Sequence, residues 1–230
     1  MVSDSIRKAT AEFIGAFALV FIGAGAIVST GGSDLLLIAL AHGLTIGVMV
    51  SAMGHISGGH FNPAVTFGAL VGRQIGARLA VVYWAAQVLG GLVAALLLLG
   101  IFPAPSWGPS HLGTPALGVF PPTNVAVGAG AGILIEAVLT FFLAFAVYGT
   151  GIDPKGTFHA VGGFAIGSTV ALDIMMGGPL TGAAMNPARW LGTAVASGFL
   201  DNGYVYVLGP LLGGAAAGLV YATLFLPRRK

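Results

Sequence analysis

The sequence predicts an all-α membrane protein with six transmembrane helices and two re-entrant half-helices, arranged as an inverted-topology internal repeat. Three observations support this fold class. Of the 230 residues, 57% are hydrophobic and only 7% are charged, whereas about 25% of the residues in soluble domains are charged. Six apolar runs are long enough to cross a bilayer. Two further apolar segments are each interrupted by glycines and the tripeptide Asn-Pro-Ala.

Six runs reach the length of about 20 mostly apolar residues that a membrane-spanning helix needs. Arg7 and Lys8 precede the first run in the manner of a signal peptide. Glu12, inside that run, argues against this interpretation, and so does the internal repeat. The interrupted segments lie near 54–72 and 178–198. The predicted spans cover 9–30, 35–53, 79–101, 126–149, 157–177 and 203–226.

The basic residues predict the orientation of the chain. With six spans, both termini and the second and fourth connections share one side of the membrane. Eight of the nine basic residues fall on that side, which the positive-inside rule identifies as cytoplasmic. We therefore expect cytoplasmic termini and a location in the plasma membrane. The eight are Arg7, Lys8, Arg73, Arg78, Lys155, Arg228, Arg229 and Lys230.

The composition also excludes several classes of protein. The net charge is +2 and the basic residues are scattered, so no nucleic-acid partner is expected. The chain has no cysteine, which excludes disulfides, thiolate metal sites and a cysteine nucleophile. No metal-ligand cluster or nucleophile–base spacing is evident in the sequence. We therefore expect no metal, no cofactor and no enzymatic activity.

An internal repeat relates the two halves of the chain. Asn62 and Asn186 are 124 residues apart, and Glu12 and Glu136 have the same separation. Repeat one covers about 1–118 and repeat two about 119–230, within a single channel domain. Each repeat holds three spans, which is an odd number, so the second must enter the membrane inverted. Functional sites in such folds lie near the midplane, between the halves.

The two tripeptides, Asn62-Pro63-Ala64 and Asn186-Pro187-Ala188, are helix starts placed inside the membrane. Asn favours the N-cap, and Pro favours the first helical position. A half-helix of about nine residues would be about 14 Å long, or half of a 30 Å hydrocarbon core. Irregular backbone at that depth must be buried in protein or line a watery cavity. The predicted pore-facing carbonyls belong to Gly59, His60, Gly182, Ala183 and Ala184.

Two helix N-termini that meet at the midplane create a positive site, with about half a charge from each dipole. Such a site repels protons and cations, and the Asn amides can donate hydrogen bonds to a passing solute. This favours a passive channel for water and other small neutral solutes.

The alternative is a secondary transporter that is coupled to protons through Glu12, Glu136 or Asp173. No acid lies near the point where the half-helices meet. We therefore prefer a structural role for Glu12 and Glu136, accepting hydrogen bonds from the backbone N–H groups of the two interrupted segments.

The segments "HISGGHFNPAVT" and "GAAMNPAR" resemble the two signature loops of the aquaporin, or major intrinsic protein, family. "AEFIGAF" and "IEAVLTFF" resemble the first and fourth helices of that family. The resemblance covers essentially the whole chain. It implies tilted helices in a lipid bilayer, a homotetramer with one pore per subunit, and a narrow outer constriction.

The resemblance assigns four positions to this constriction by their spacing from the tripeptides: His42, Ile174, Ala183 and Arg189. The set is similar to that of plant vacuolar-membrane aquaporins that pass ammonia as well as water. Trp190 stands where glycerol-conducting members usually have Asp. We expect conduction of water and ammonia, with a glycerol-type facilitator as the alternative.

Five further polar residues have open roles. We expect Asp173 to hydrogen-bond to a neighbouring loop rather than to tune the vestibule. His55 and His60 would either line the inner pore or hold the first loop. His111 or Asn124, in the third connection, would reach the constriction.

Overall fold

The computed structural model describes residues 3–156 and 161–227. The first residues of the fifth predicted span, 157–160, lie outside the described residues. So do three members of the basic set, Arg228, Arg229 and Lys230.

Six long helices in the described part are apolar enough to cross a membrane, so the prediction of six spans is confirmed. They are α1 (Asp4–Thr30), α2 (Leu35–Ser57), α4 (Ala77–Ile101), α6 (Ala129–Val147), α7 (Gly162–Thr181) and α9 (Gly203–Leu224). A π-helical turn, Tyr148–Ile152, extends α6. The half-helices are α3 (Pro63–Val71) and α8 (Pro187–Ser197).

The third connection contains structure that the sequence did not predict. It holds α5 (Ala104–Trp107), a 3₁₀ segment (Gly108–Gly113) and a two-stranded hairpin. The strands β1 (Val119–Phe120) and β2 (Val125–Ala126) pair antiparallel, with Val119 opposite Ala126. This hairpin is a small exception to the all-α class.

Helix ends differ from the predicted spans because caps, rather than hydropathy, set them. The side chain of Ser3 accepts a hydrogen bond from the N–H of Ile6, so α1 starts several residues before its apolar run. Helix α2 continues to Ser57, where Gly58 adopts a left-handed φ of 91°. The polar end turns of these helices are therefore helical, although hydropathy left them out.

Glycines bring the helices into backbone contact around the half-helices. A Cβ atom on Gly43 of α2 would lie 2.5 Å from the carbonyl oxygen of Gly167 in α7. A Cβ on Gly68 of α3 would lie 2.5 Å from the carbonyl oxygen of Gly214 in α9. Small residues are typical of close helix contacts in membranes. The equivalent contact in the other half joins α8 to α4, so each half-helix packs on the last span of the other repeat.

The distribution of polar and apolar side chains suits a bilayer. Large apolar side chains such as Phe164 and Leu172 are exposed on the outside of the bundle, whereas several polar side chains within the spans are buried. The buried polar set includes Glu12, Glu136 and Gln87, each 0% exposed. The centre of the fold is therefore its polar part, and it is the place to look for a solute path.

Candidate pore

Each half-helix begins at an asparagine whose side chain caps it. The Oδ1 atom of Asn62 accepts a hydrogen bond from the N–H of Ala64 at 2.8 Å. The Oδ1 atom of Asn186 accepts from Ala188 at 3.0 Å and from Arg189 at 3.2 Å. These caps satisfy N–H groups that a helix end buried in the membrane would otherwise leave without partners.

The same two asparagines also join the half-helices to each other. The Nδ2 atom of Asn62 donates to the carbonyl of Met185 at 2.8 Å, and Nδ2 of Asn186 donates to the carbonyl of Phe61 at 2.9 Å. Phe61 and Met185 have left-handed φ values of 51° and 50°. An amide nitrogen carries two hydrogens, so each Asn keeps one for a solute. These crossed bonds were not predicted from the sequence.

The first interrupted segment is held by Glu12. Its carboxylate accepts from the backbone N–H groups of His60 (3.0 Å) and Phe61 (2.6 Å). It also accepts from the hydroxyl of Ser57 at 2.6 Å and from Nε2 of Gln87 at 2.7 Å. Four donors thus surround this buried carboxylate, which does not line the central cavity.

Glu136 holds the second segment in the same way with fewer donors. It accepts from the backbone N–H groups of Ala184 (2.9 Å) and Met185 (2.7 Å), and from the hydroxyl of Thr181 at 2.7 Å. It does not line the cavity either. Among the described residues, neither glutamate forms a salt bridge.

A narrow central cavity of about 30 Å³ runs past both asparagines. A single water needs about 10–15 Å³ measured in this way, so the cavity holds only a few waters. Its lining includes Gly59, His60 and Ala184 of the interrupted segments. The lining also includes apolar side chains, those of Leu19, Ile46, Val65, Leu143, Ile166 and Val170.

The four predicted filter residues line this same cavity, and each is at most 4% exposed. The Nη1 atom of Arg189 donates to the carbonyl of Gly113 at 2.7 Å, and its Nη2 atom lies 3.4 Å from Nε2 of His42. His42 places Nδ1 2.8 Å from the carbonyl of Ile38. Because a carbonyl only accepts, Nδ1 must carry a hydrogen there, and in the neutral ring Nε2 is then the acceptor for Arg189.

The sequence model of the family described as "Major intrinsic protein" matches residues 2–221. The chain belongs to the major intrinsic protein family. It is 44% identical to aquaporin TIP4-4 of Zea mays over 96% of this chain and 87% of that protein. It is 40% identical to the probable aquaporin TIP3-2 of Arabidopsis thaliana over 97% of this chain and 85% of that protein.

Its fold is similar to that in the X-ray structure of the aquaglyceroporin from Plasmodium falciparum. The TM-score is 0.82 at 24% identity, and the match covers 96% of both chains.

As a member of the major intrinsic protein family, the chain is a multi-pass membrane protein and a passive channel for water and small solutes, and it is not an enzyme. The expected plasma-membrane location is not supported, because the curated relatives are TIP, or vacuolar-type, aquaporins.

In this major intrinsic protein the third connection reaches the constriction through its main chain. His111, Leu112 and Gly113 have consecutive left-handed φ values of 46°, 58° and 69°. This turn presents the Gly113 carbonyl to Arg189. The glycine in "HLG" is the sequence signal that could have indicated this turn.

The two residues expected to reach the constriction lie elsewhere. The His111 ring stacks on Phe199, with centroids 3.9 Å apart and planes 8° apart, at the edge of an outer vestibule of about 530 Å³. Asn124 is exposed in the β1–β2 turn. Gly182, expected to face the pore, also borders this vestibule rather than the central cavity.

His60 satisfies both of the roles left open for it. It lines the cavity, and its Nδ1 atom lies 3.0 Å from the hydroxyl of Thr66. His55 does neither within the described residues, because it is exposed and does not border the cavity. Asp173 is buried, but the described residues provide no hydrogen bond to its Oδ2 atom, so the expected bond to a loop is missing.

Trp190 points away from the pore. Its ring stacks on Tyr206, with centroids 5.7 Å apart and planes 13° apart, and it is 4% exposed. Its Nε1 atom has no acceptor among the described residues. This departure from the family pattern therefore affects the packing between α8 and α9 and leaves the cavity wall unchanged.

Proposed function

We propose that this channel conducts ammonia as well as water, excludes protons and ions, and passes glycerol poorly. The observation that carries the proposal is the composition of the constriction. His42 and Arg189 line the cavity together with Ile174 and Ala183, so one guanidinium donor and one imidazole acceptor share the constriction with two apolar side chains.

Ammonia and water are similar in size, so a difference in their permeability must come from the hydrogen-bond partners that replace their hydration shells in the pore. A polar group that stays unpaired in an apolar setting is costly. Water has two hydrogens and two lone pairs to satisfy, whereas ammonia has one lone pair and three N–H groups that are weak donors, so it sheds its hydration more readily. The apolar side chain of Ile174 therefore hinders ammonia less than it hinders water, while the Arg189 guanidinium still donates to the lone pair.

Proton exclusion is supported by the meeting of the two half-helices. Their N-termini direct a positive potential at the cavity, and Asn62 and Asn186 each retain one N–H for a passing water. A water that accepts from both asparagines has its own hydrogens turned outwards along the pore. Such a water cannot receive a proton from its neighbour, and cations meet the same positive field.

Glycerol would need the large aromatic ring of a Phe, Trp or Tyr for its carbon chain, and none of the four filter residues is one of these. A glycerol-type facilitator remains the second candidate, because Ala183 leaves space in the ring. A proton-coupled transporter is less well supported. The carboxylates of Glu12 and Glu136 are occupied by backbone donors and lie off the cavity.

We also propose that the chain forms a homotetramer with one pore per subunit, with both termini cytoplasmic. The repeats at about 1–118 and 119–230 would together form each single channel domain. The site residues are those of the two tripeptides and the filter, together with the pore carbonyls of Gly59, His60 and Ala184. Glu12 and Glu136 support the loops.

Purified protein in liposomes tests the substrate proposal. Ammonia flux is measured as internal alkalinisation after an ammonium jump, and water flux is measured by stopped-flow light scattering. Ile174→His should lower the ratio of ammonia flux to water flux, by about tenfold if the barrier difference changes by about 1.4 kcal/mol. Ile174→Val keeps the apolar wall and should retain the ratio. Wild-type ammonia flux equal to that of empty vesicles, with intact water flux, would refute the proposal.

A further inference from the structure

A groove of about 940 Å³ lies where α9 ends, beside the end of α3 and the π-helical turn. We call it the α9 groove. Its lining is mixed: Ile152, Leu219, Ala222 and Leu226 are apolar, whereas Gln74 and Thr223 are polar. A concave site of this size is in the range that takes up a ligand rather than a single side chain.

Among the residues that the structure describes, one cation borders the α9 groove. Arg73 is exposed there, with a left-handed φ of 58° just after the end of α3. Residues other than glycine seldom adopt this conformation, and an observed outlier is a reason to look for a function. In the described residues, no carboxylate lies within 4.0 Å of its guanidinium group.

The acid in the adjoining loop is already occupied. Asp153 is buried, and it accepts from the hydroxyl of Tyr221 at 3.2 Å and from the backbone N–H of Lys155 at 2.9 Å. Among the described residues that line the groove, the charged side chain is therefore that of Arg73, a cation.

The groove lies at the end of a membrane span, on the side where the basic residues concentrate. We propose that it binds one phospholipid with an anionic headgroup. The phosphate would pair with Arg73, and an acyl chain would lie against the apolar side chains of α9. Basic pockets between transmembrane helices at the cytoplasmic surface are suited to such headgroups.

Arg73 has a simpler alternative role, because a cation near the C-terminus of α3 also stabilises the helix dipole. That role predicts a change in the stability of the fold and no preference among lipids. Lipid binding and thermal stability must therefore be measured on the same variants.

The test uses native mass spectrometry of the full chain in detergent, titrated with phosphatidylglycerol or phosphatidylcholine of identical acyl chains. Wild type should retain phosphatidylglycerol about fivefold better, as about 1 kcal/mol per basic residue near the headgroups implies. Arg73→Gln should abolish this preference, and Arg78→Gln, which removes a cation outside the groove, should keep it. Ala222→Trp should reduce the retention of both lipids by filling the groove.

Arg73→Gly guards against misfolding, since glycine accepts the left-handed φ. It should keep the thermal midpoint of wild type and still lose the preference. Equal retention of the two lipids by wild type would overturn the proposal, and so would equal effects of Arg73→Gln and Arg78→Gln. Full displacement of the lipid by inorganic phosphate would also overturn it, because the groove would then be a free-anion site.

Discussion

The two interrupted segments share one scaffold and differ in the chemistry built on it. In both segments, a glutamate accepts hydrogen bonds from two consecutive backbone N–H groups. The hydroxyl of the residue five positions before the asparagine donates to the same carboxylate. The hydroxyls belong to Ser57 and Thr181, which also receive backbone N–H groups at 3.1 Å. The repeat therefore preserves the bonds that hold irregular backbone inside the membrane.

The difference lies in the residues around that scaffold. In the first segment the Thr66 hydroxyl bonds to His60 and receives Nε2 of Gln87, which also donates to Glu12. The repeat places Trp190 at the position of Thr66. In the last span of each repeat the equivalent residues are 123 apart, since Tyr83 and Tyr206 donate to the carbonyls of Ser57 and Thr181, so Pro210 stands at the position of Gln87. The first segment is thus braced by side-chain hydrogen bonds, whereas the second is braced by aromatic packing.

Arg189 is the other main difference, since the first repeat has Val65 at the corresponding position. The guanidinium brings a fixed positive charge to one end of the cavity only. The scaffold is therefore symmetric, whereas the charged group of the proposed filter comes from the second segment alone and is bonded to the third connection.

Removing the glutamates tests whether the first segment is braced better than the second. Glu136→Gln should lower the thermal midpoint by roughly 5–10 °C, because a lost hydrogen bond to a charged group costs about 1.5–3 kcal/mol. Glu12→Gln should lower it less. The Oε1 atom of Gln87 has no partner among the described residues. The Gln87 amide can therefore turn so that Oε1 accepts a hydrogen bond from the NH₂ group introduced at position 12.

Thermal unfolding in detergent, followed by circular dichroism, provides both midpoints. An equal or larger loss in Glu12→Gln would contradict this ranking, and the bracing by Gln87 and Thr66 would then contribute little.

Arg189→Val makes the second segment match the first. The ring loses its charge and its bond to the Gly113 carbonyl, so glycerol permeability should rise, by about tenfold for about 1.4 kcal/mol of lost barrier. Ion leak should rise as well, because the positive barrier is gone. Glycerol and potassium fluxes into liposomes measure the two effects.

Arg78→Gln is the control for this experiment, because it removes a basic residue that does not border the central cavity. If Arg189→Val folds with the glycerol and ion fluxes of wild type, the constriction is not formed by Arg189.

The smallest effect is expected at Trp190, whose ring packs on Tyr206 but whose indole N–H makes no hydrogen bond among the described residues. Trp190→Phe should change the thermal midpoint by less than about 4 °C, because the indole N–H has no acceptor among the described residues and little is lost with it. Trp84→Phe is the matched variant. Its N–H donates to the carbonyl of Pro63 at 3.1 Å, so its midpoint should fall further. The reverse order would mean that Trp190 has a hydrogen bond in the membrane.

Patterns with a strong physical cause were predictable from the sequence. Apolar length fixed the six spans, and the equal spacing of Glu12 with Glu136 and of Asn62 with Asn186 indicated the inverted repeat. Contacts between distant segments were not predictable, because hydropathy and spacing contain no information on side-chain direction. The crossed bonds to Phe61 and Met185 depend on left-handed backbone at two residues that usually avoid it.

The third connection shows the same limit. Its polar side chains attracted attention, but the group that reaches Arg189 is the main-chain carbonyl of Gly113. Asp173 shows a second limit of prediction from sequence. This buried acid was expected to have a hydrogen-bond partner, and the described residues provide none for its Oδ2 atom.

The crossed bonds between the half-helices have a consequence for biogenesis. While the chain is being synthesised, the first half enters the membrane with the Asn62 amide and the Phe61 carbonyl lacking the partners that they have in the finished protein. Both partners belong to residues 185 and 186, which leave the ribosome much later. Unpaired polar groups are costly inside a bilayer, so the first half-helix is expected to stay near the membrane surface until the second arrives. The pore would then form in one late step of assembly, when the two half-helices meet. A chain truncated before Met185 should insert its spans without completing a channel.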